Sequence, residues 1–359
     1  MSWRSRVLRG AIALLIVLRF KSIRESTPDV AELRKRAHRL SGVGRWASRG
    51  LYRRSSTRPD SQLPGEWVWP NDGVQTDGVV ILYLHGGAYY MGSPATHRAL
   101  TTELANAARA CVFALNYRLA PEHPFPAALD DAKFAYQTLI ARGIAPGSIV
   151  LAGDSAGGGL ALATLVALRD DGVPLPACAI LLSPWADLSV DEESGGDAFA
   201  QSRRAMRTAA ALYLQDASAG EPLASPARAS LHGLVPLQIQ TSDAEALYQD
   251  ACRLAGRVMQ SRGRVELSVW HGLPHAWHCF TPFIPEARAG LRMAAAFMRR
   301  YVSAPSSPDL HPDSHPDSSP TDRPNASLTN NAPLRSFFCP VGRSKRRIDQ
   351  RARKSENIA

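Results

Sequence analysis

The chain has 359 residues, 45% apolar and 21% charged, a balance that supports a sizeable buried core and excludes global disorder. Its 42 Lys and Arg outweigh 32 Asp and Glu, but residues 1–58 carry +12, residues 303–359 carry +3, and the 244 residues between them carry −5, so no nucleic acid is expected as partner of the middle. The five cysteines are odd in number and contain no C-x-x-C pair, which speaks against a disulfide framework or a zinc site and for a reducing, cytoplasmic compartment.

The amino terminus places Arg4, Arg6 and Arg9 before an apolar run from Ala11 to Leu18. Eight residues fall short of the ~20 needed to span a bilayer core. Arg19 and Lys21 follow with no small-residue cleavage site, so the run reads as an amphipathic helix packed on the protein or lying on a membrane surface. A second helical stretch is predicted over Asp29–Leu40, with Arg34, Lys35, Arg36 and Arg39 on a solvated face. Residues 1–58 are thus a basic helical region, residues 59–302 the body, and residues 303–359 a tail. Ser303–Pro333 is rich in Pro, Ser and Asp and is expected to be disordered, with a basic end over Arg343–Lys354.

Within the body, short apolar runs alternate with alanine- and leucine-rich segments of helical period. Strands are predicted at Val79–Leu84, Cys111–Leu115, Ile149–Ala152, Cys178–Leu182, Leu237–Gln240 and Val265–Trp270. Helices are predicted at His97–Ala110, Ala127–Ala141, Gly158–Asp170 and Ala244–Ser261. Continuous apolar strands separated by helices imply an α/β fold with a mostly parallel sheet covered on both faces. Ligands on such sheets gather at the carboxyl ends of the strands.

Three motifs fall at those ends. His85-Gly86-Gly87-Ala88 follows the first strand, and the backbone N–H groups of its turn are candidates to surround an oxyanion, with His85 bracing the turn. Gly153-Asp154-Ser155-Ala156-Gly157-Gly158 follows the third strand and opens a helix, which fits a G-x-S-x-G turn presenting Ser155 as nucleophile and the Ala156 N–H as a further oxyanion donor. His275, in the loop after the last strand, is the candidate base, because in the α/β-hydrolase order the histidine comes last.

Together with Tyr117-Arg118-Leu119-Ala120-Pro121-Glu122, Ser183-Pro184-Trp185-Ala186-Asp187-Leu188 and Gly272-Leu273-Pro274-His275, these motifs resemble the bacterial hormone-sensitive-lipase-like serine esterases over about residues 60–302. The resemblance implies an α/β-hydrolase fold, a cap built partly from the amino-terminal helices, and hydrolysis of small, short-chain acyl esters or lactones without a cofactor or metal. It also implies a triad acid two residues before a leucine and about thirty residues before the histidine. Glu245-Ala246-Leu247 fits that spacing, and Asp243, in the same strand-end loop, is the alternative. The oxyanion residues are then Gly86, Gly87, Ala88 and Ala156, with Ala88 standing where the family usually has glycine. Tyr89 is a candidate for the acyl pocket, with core packing as its other reading. Arg118 and Glu122 are expected to pair, and Asp154 to hold neighbouring loops together. A receptor that binds a small ligand on the same fold without catalysis is the alternative function, and the presence of His275 argues against it. A homo-oligomer and a weak membrane-surface contact through the amino-terminal helix are further candidate associations.

Overall fold

The computed structural model describes residues 57–303 except 61, 72–75, 77, 191–199 and 282, together with residues 3, 29–35 and 38–39. The run Ala11–Leu18 and the tail beyond residue 303 lie outside the described residues. Residues 30–35 of the second amino-terminal stretch are helical. Among the described residues no helix is long and apolar enough to cross a membrane.

Eight strands form one sheet: β1 (Thr57–Pro59), β2 (Gly65–Val68), β3 (Val80–Leu84), β4 (Cys111–Leu115), β5 (Ile149–Asp154), β6 (Cys178–Leu182), β7 (Leu237–Ser242) and β8 (Val265–Trp270). Their spatial order is 1-2-4-3-5-6-7-8. Strands β3 to β8 are parallel, and β1 and β2 add an antiparallel edge. The sequence reading missed that edge because strands of three and four residues, bounded by Pro59 and Pro64, carry too short a pattern to stand out.

Helices α1 (Pro94–Ala108), α2 (Ala127–Ala141), α3 (Ala156–Asp170), α4 (Ala200–Leu214), α5 (Tyr248–Gln260) and α6 (Pro285–Met298) complete the body. Alternation along β3 divides the core. Val80, Leu82 and Leu84 join the cluster formed with α2, α3, α4 and α5, whereas Ile81 and Tyr83 join the one formed with α1 and α6. Strands β3 to β7 are therefore buried on both faces, which is why β3 to β6 read as unbroken apolar runs in their central parts.

Helix α1 begins three residues before the predicted start. Ser93 and Thr96 exchange side-chain and backbone hydrogen bonds in a capping box, and Pro94 supplies a first-turn residue that needs no N–H partner. Helix α5 starts at Tyr248 rather than Ala244, because residues 243–247 turn so that the Glu245 N–H meets Ser242 O. The strand order reverses at β3, whose chain continues to β4 on one side while β5 pairs on the other. The crevice at that switch point lies between the turns that follow β3 and β5.

Candidate active site

Strand β5 ends at Asp154, and Ser155 turns the chain into α3 with φ 53° and ψ −121°, a strained combination for a residue with a side chain. Surrounding contacts hold it there. The Ser155 N–H donates to Leu182 O at 2.8 Å, and its carbonyl accepts from Trp185 N at 2.9 Å and Gly159 N at 3.1 Å. Glycine is required on the helical side of the turn: a Cβ at Gly157 would lie 2.0 Å from Leu84 O. Ser155 Oγ stands 2.9 Å from Nε2 of His275, whose Nδ1 lies 2.6 Å from Glu245 Oε2.

The three residues come from separate elements: the β5–α3 turn, the loop after β8 and the turn after β7. Glu245 is buried, and its other oxygen accepts from Thr241 Oγ1 at 2.6 Å, the Ser242 N–H at 2.9 Å and Ser183 Oγ at 3.0 Å. Burial pushes its carboxyl up, but His275, Thr241 and the Ser242 amide outweigh that and hold it below the usual carboxylate value. For His275, desolvation pulls the imidazole down, and the Glu245 carboxylate more than reverses the pull, leaving it above its ordinary value of 6.5.

Asp243 lies apart from this chain of bonds. Its Oδ2 meets His271 Nδ1 at 2.6 Å and its Oδ1 accepts from Gly272 N at 2.8 Å, so it braces the loop that leads to His275. The supporting hydroxyls of Ser183, Thr241 and Ser242 were not singled out from the sequence. Ser242 Oγ accepts from Leu273 N at 3.0 Å. Ser183 opens one of the motifs that carry the family resemblance, whereas Thr241 and Ser242 are marked only by position, at the carboxyl end of β7.

The turn after β3 faces the same crevice. Gly87, Ala88 and Tyr89 have φ values of 123°, 54° and 64°, and a Cβ at Gly87 would lie 2.1 Å from Met91 O. Among the described residues the N–H groups of Gly87, Ala88 and Ala156 meet no hydrogen-bond acceptor. Gly86 differs from the expectation: its N–H is donated to Asp154 Oδ1 at 2.9 Å, so that amide is already committed. Asp154 also accepts from Tyr83 OH at 2.6 Å and lies 3.3 Å from His97 Nε2, tying the two turns together from beneath. His85 Nδ1 lies 2.9 Å from Gly86 O, and the ring stacks on Tyr117 with centroids 4.2 Å apart. Burial lowers the His85 imidazole to about 3, so it is neutral and braces the turn.

Tyr89 is 2% exposed, its ring stacked on Tyr213 at 3.8 Å and tilted against Trp185. The expected Arg118–Glu122 pair does not form. Arg118 pairs with Asp131 at 2.8 Å, and Glu122 pairs with Arg34 at 2.7 Å. The residues between them are not helical, so a spacing of four does not bring the two side chains to one face.

A profile described as the alpha/beta hydrolase fold matches residues 81–279. An acetyl-hydrolase of Streptomyces hygroscopicus is 45% identical over 238 residues, 65% of this chain and 79% of its own length. A crystal structure of an esterase from the bacterial hormone-sensitive lipase family is similar with a TM-score of 0.73 and 35% identity, covering 84% of this chain and 99% of that one. The structure of EstE5 soaked with p-nitrophenyl butyrate is similar with a TM-score of 0.72 and 34% identity, again over 84% and 99%.

Proposed function

The chain belongs to the alpha/beta hydrolase fold family, as an esterase-type hydrolase, and on that premise we propose that it is a serine carboxylic-ester hydrolase for short-chain acyl esters. The observation that carries the reading is the unbroken line of hydrogen bonds from Ser155 Oγ through His275 to Glu245, at 2.9 and 2.6 Å. His275 Nε2 takes the hydroxyl proton as Oγ bonds to the ester carbonyl carbon. Glu245 keeps the other ring proton on Nδ1, orients the ring and stabilises the imidazolium that forms. The N–H groups of Gly87, Ala88 and Ala156 receive the oxyanion. Each such donor is worth ~2.7–4 kcal/mol of barrier in enzymes of this logic.

The tetrahedral intermediate collapses as His275 returns the proton to the departing alkoxide, leaving an acyl group on Ser155. Water then attacks the acyl carbon, gives a proton to His275, and the acid leaves with Oγ reprotonated. Short acyl groups are favoured by two features. The Ala88 methyl stands in the turn beside the proposed oxyanion site, and one similar esterase was soaked with a butyrate ester. A ligand receptor without chemistry gains no support from a histidine already in hydrogen-bond contact with the serine.

Purified full-length chain is expected to hydrolyse p-nitrophenyl acetate and butyrate faster than the octanoate. Ser155→Ala is expected to cut the rate by at least 10³-fold. Wild-type turnover no higher than that of Ser155→Ala would overturn the reading.

A further inference from the structure

Beneath the nucleophile turn lies a second cluster that the ester chemistry does not use in full. Asp154 Oδ2 is 3.3 Å from His97 Nε2 and 3.8 Å from Cys279 Sγ, and all three donor atoms lie within 4.8 Å of one another. An ion pair explains Asp154 and His97. The Cys279 thiol is set against the same carboxylate as a long, weak hydrogen-bond donor, with burial first and the carboxylate second pushing its proton affinity up. We propose that His97 Nε2, Asp154 Oδ2 and Cys279 Sγ form a three-residue zinc site that ties together the elements bearing the catalytic serine and histidine.

Distance is the first argument. A tetrahedral zinc with bonds of about 2.0 Å to nitrogen and oxygen and 2.3 Å to sulfur sets its N and O donors about 3.3 Å apart and its S and O donors about 3.5 Å apart. The two separations here, 3.3 and 3.8 Å, need only a few tenths of an ångström of adjustment. Donor chemistry is the second argument: imidazole, carboxylate and thiolate are the three ligand types zinc takes.

The outer contacts of the cluster are the third argument. His97 Nδ1 lies 2.8 Å from Thr96 Oγ1 and 3.3 Å from Ser93 O, which keeps a proton on that nitrogen and leaves Nε2 as the coordinating atom. The other oxygen of Asp154 is fixed by Tyr83 OH and the Gly86 N–H. A ligand set oriented by outer hydrogen bonds at both the histidine and the carboxylate is what metal centres need.

Coordination would release two protons, one from Nε2 of the His97 imidazolium and one from the Cys279 thiol. The ion replaces them without any change of oxidation state. Asp154 directly precedes Ser155, Cys279 follows His275 by four residues, and His97 lies in the first turns of α1. An ion bound there would clamp the nucleophile turn, the histidine loop and that helix without touching the ester. No local sequence motif marks it, because residues 97, 154 and 279 meet only in the fold.

The test uses untagged, reduced full-length chain titrated with Co²⁺ as a spectroscopic stand-in for zinc. One equivalent is expected to produce a thiolate-to-cobalt charge-transfer band that zinc then bleaches, and zinc alone is expected to raise the thermal midpoint. The band should persist in Cys252→Ser, disappear in Cys279→Ser, and require at least tenfold more cobalt in His97→Gln. Circular dichroism and ester turnover report whether each variant is folded, and Cys279→Ala serves if Cys279→Ser is not. No saturable band in the wild-type chain, or a band of undiminished intensity after loss of the Cys279 thiol, would overturn the proposal. Ester hydrolysis by metal-free chain would leave the esterase reading intact in either case.

Discussion

At His275 two opposing effects set the proton affinity, and their balance is testable through pH. Desolvation lowers it, the Glu245 carboxylate raises it, and the result lies above 6.5. A general base must be neutral, so kcat/KM is expected to fall as pH drops through an apparent pKa above 6.5. Glu245→Gln removes the raising charge, so the acid limb should move to lower pH. The plateau rate should fall on the order of 10³–10⁴-fold, as the tautomer is no longer fixed. Asp243→Asn alters contacts to His271 and Gly272, outside the line from Ser155 through His275 to Glu245, and is expected to cost less than tenfold. Equal losses in the two variants, or an unmoved acid limb in Glu245→Gln, would count against the assignment. Ser155 and His275 were legible because their turn and loop motifs are local. Glu245 stands out in the sequence only through its spacing, with Asp243 a fair rival; in the fold Glu245 Oε2 lies 2.6 Å from His275 Nδ1, whereas Asp243 meets His271. The commitment of the Gly86 amide was not legible, because its acceptor, Asp154, lies 68 residues away.

The elements around the crevice show why some glycines are fixed and others are free. In α3, Gly157 packs so closely under β3 that a methyl would sit 2.0 Å from Leu84 O and 2.6 Å from His85 O, both backbone atoms that cannot swing aside. Gly256, inside α5, has nothing within 4 Å of its missing Cβ. Gly157→Ala is therefore expected to lose about 4 kcal/mol or more, or fail to fold. Gly256→Ala should gain about 0.4–1 kcal/mol by restricting the unfolded chain. Urea unfolding of the two variants checks the contrast, and a Gly157→Ala chain of wild-type stability would refute the packing argument. The same elements show what sequence patterns can carry. Strands β4, β6 and β8 and helix α2 match their predicted bounds, because each is a clean run or period ended by a change of composition. Strand β5 and helix α3 extend two residues beyond the prediction toward Ser155, where polar and glycine residues are held by tertiary contacts rather than by local preference.

Across the whole molecule, the uneven charge becomes a question of how the basic amino-terminal region meets an acidic body. Arg34 supplies one described answer. Its guanidinium donates to Glu122 at 2.7 and 2.8 Å, to Ala120 O at 2.7 Å and to Tyr90 O at 2.8 Å. Those carbonyls belong to the segments that follow the proposed oxyanion turn and β4, so the amino-terminal stretch is pinned beside the crevice. Nothing near Arg34 announced this, and the expected Arg118–Glu122 pair misled because the true partner of Glu122 is 88 residues away. Long-range attraction and local hydrogen bonding make different forecasts here. If a +12 segment were held on a −5 body by bulk charge, about 1 M salt, where screening acts within ~3 Å, would abolish the benefit of Arg34. Two of its three acceptor groups are uncharged carbonyls, so Arg34→Ala is expected to lower stability by about 1–2 kcal/mol and to keep more than half of that deficit in high salt. Arg34→Lys, with one compact ammonium in place of a planar fork, should recover less than half. Thermal melts of the three chains at low and high salt decide the matter, and a deficit that vanishes in salt would return the attachment to net charge alone.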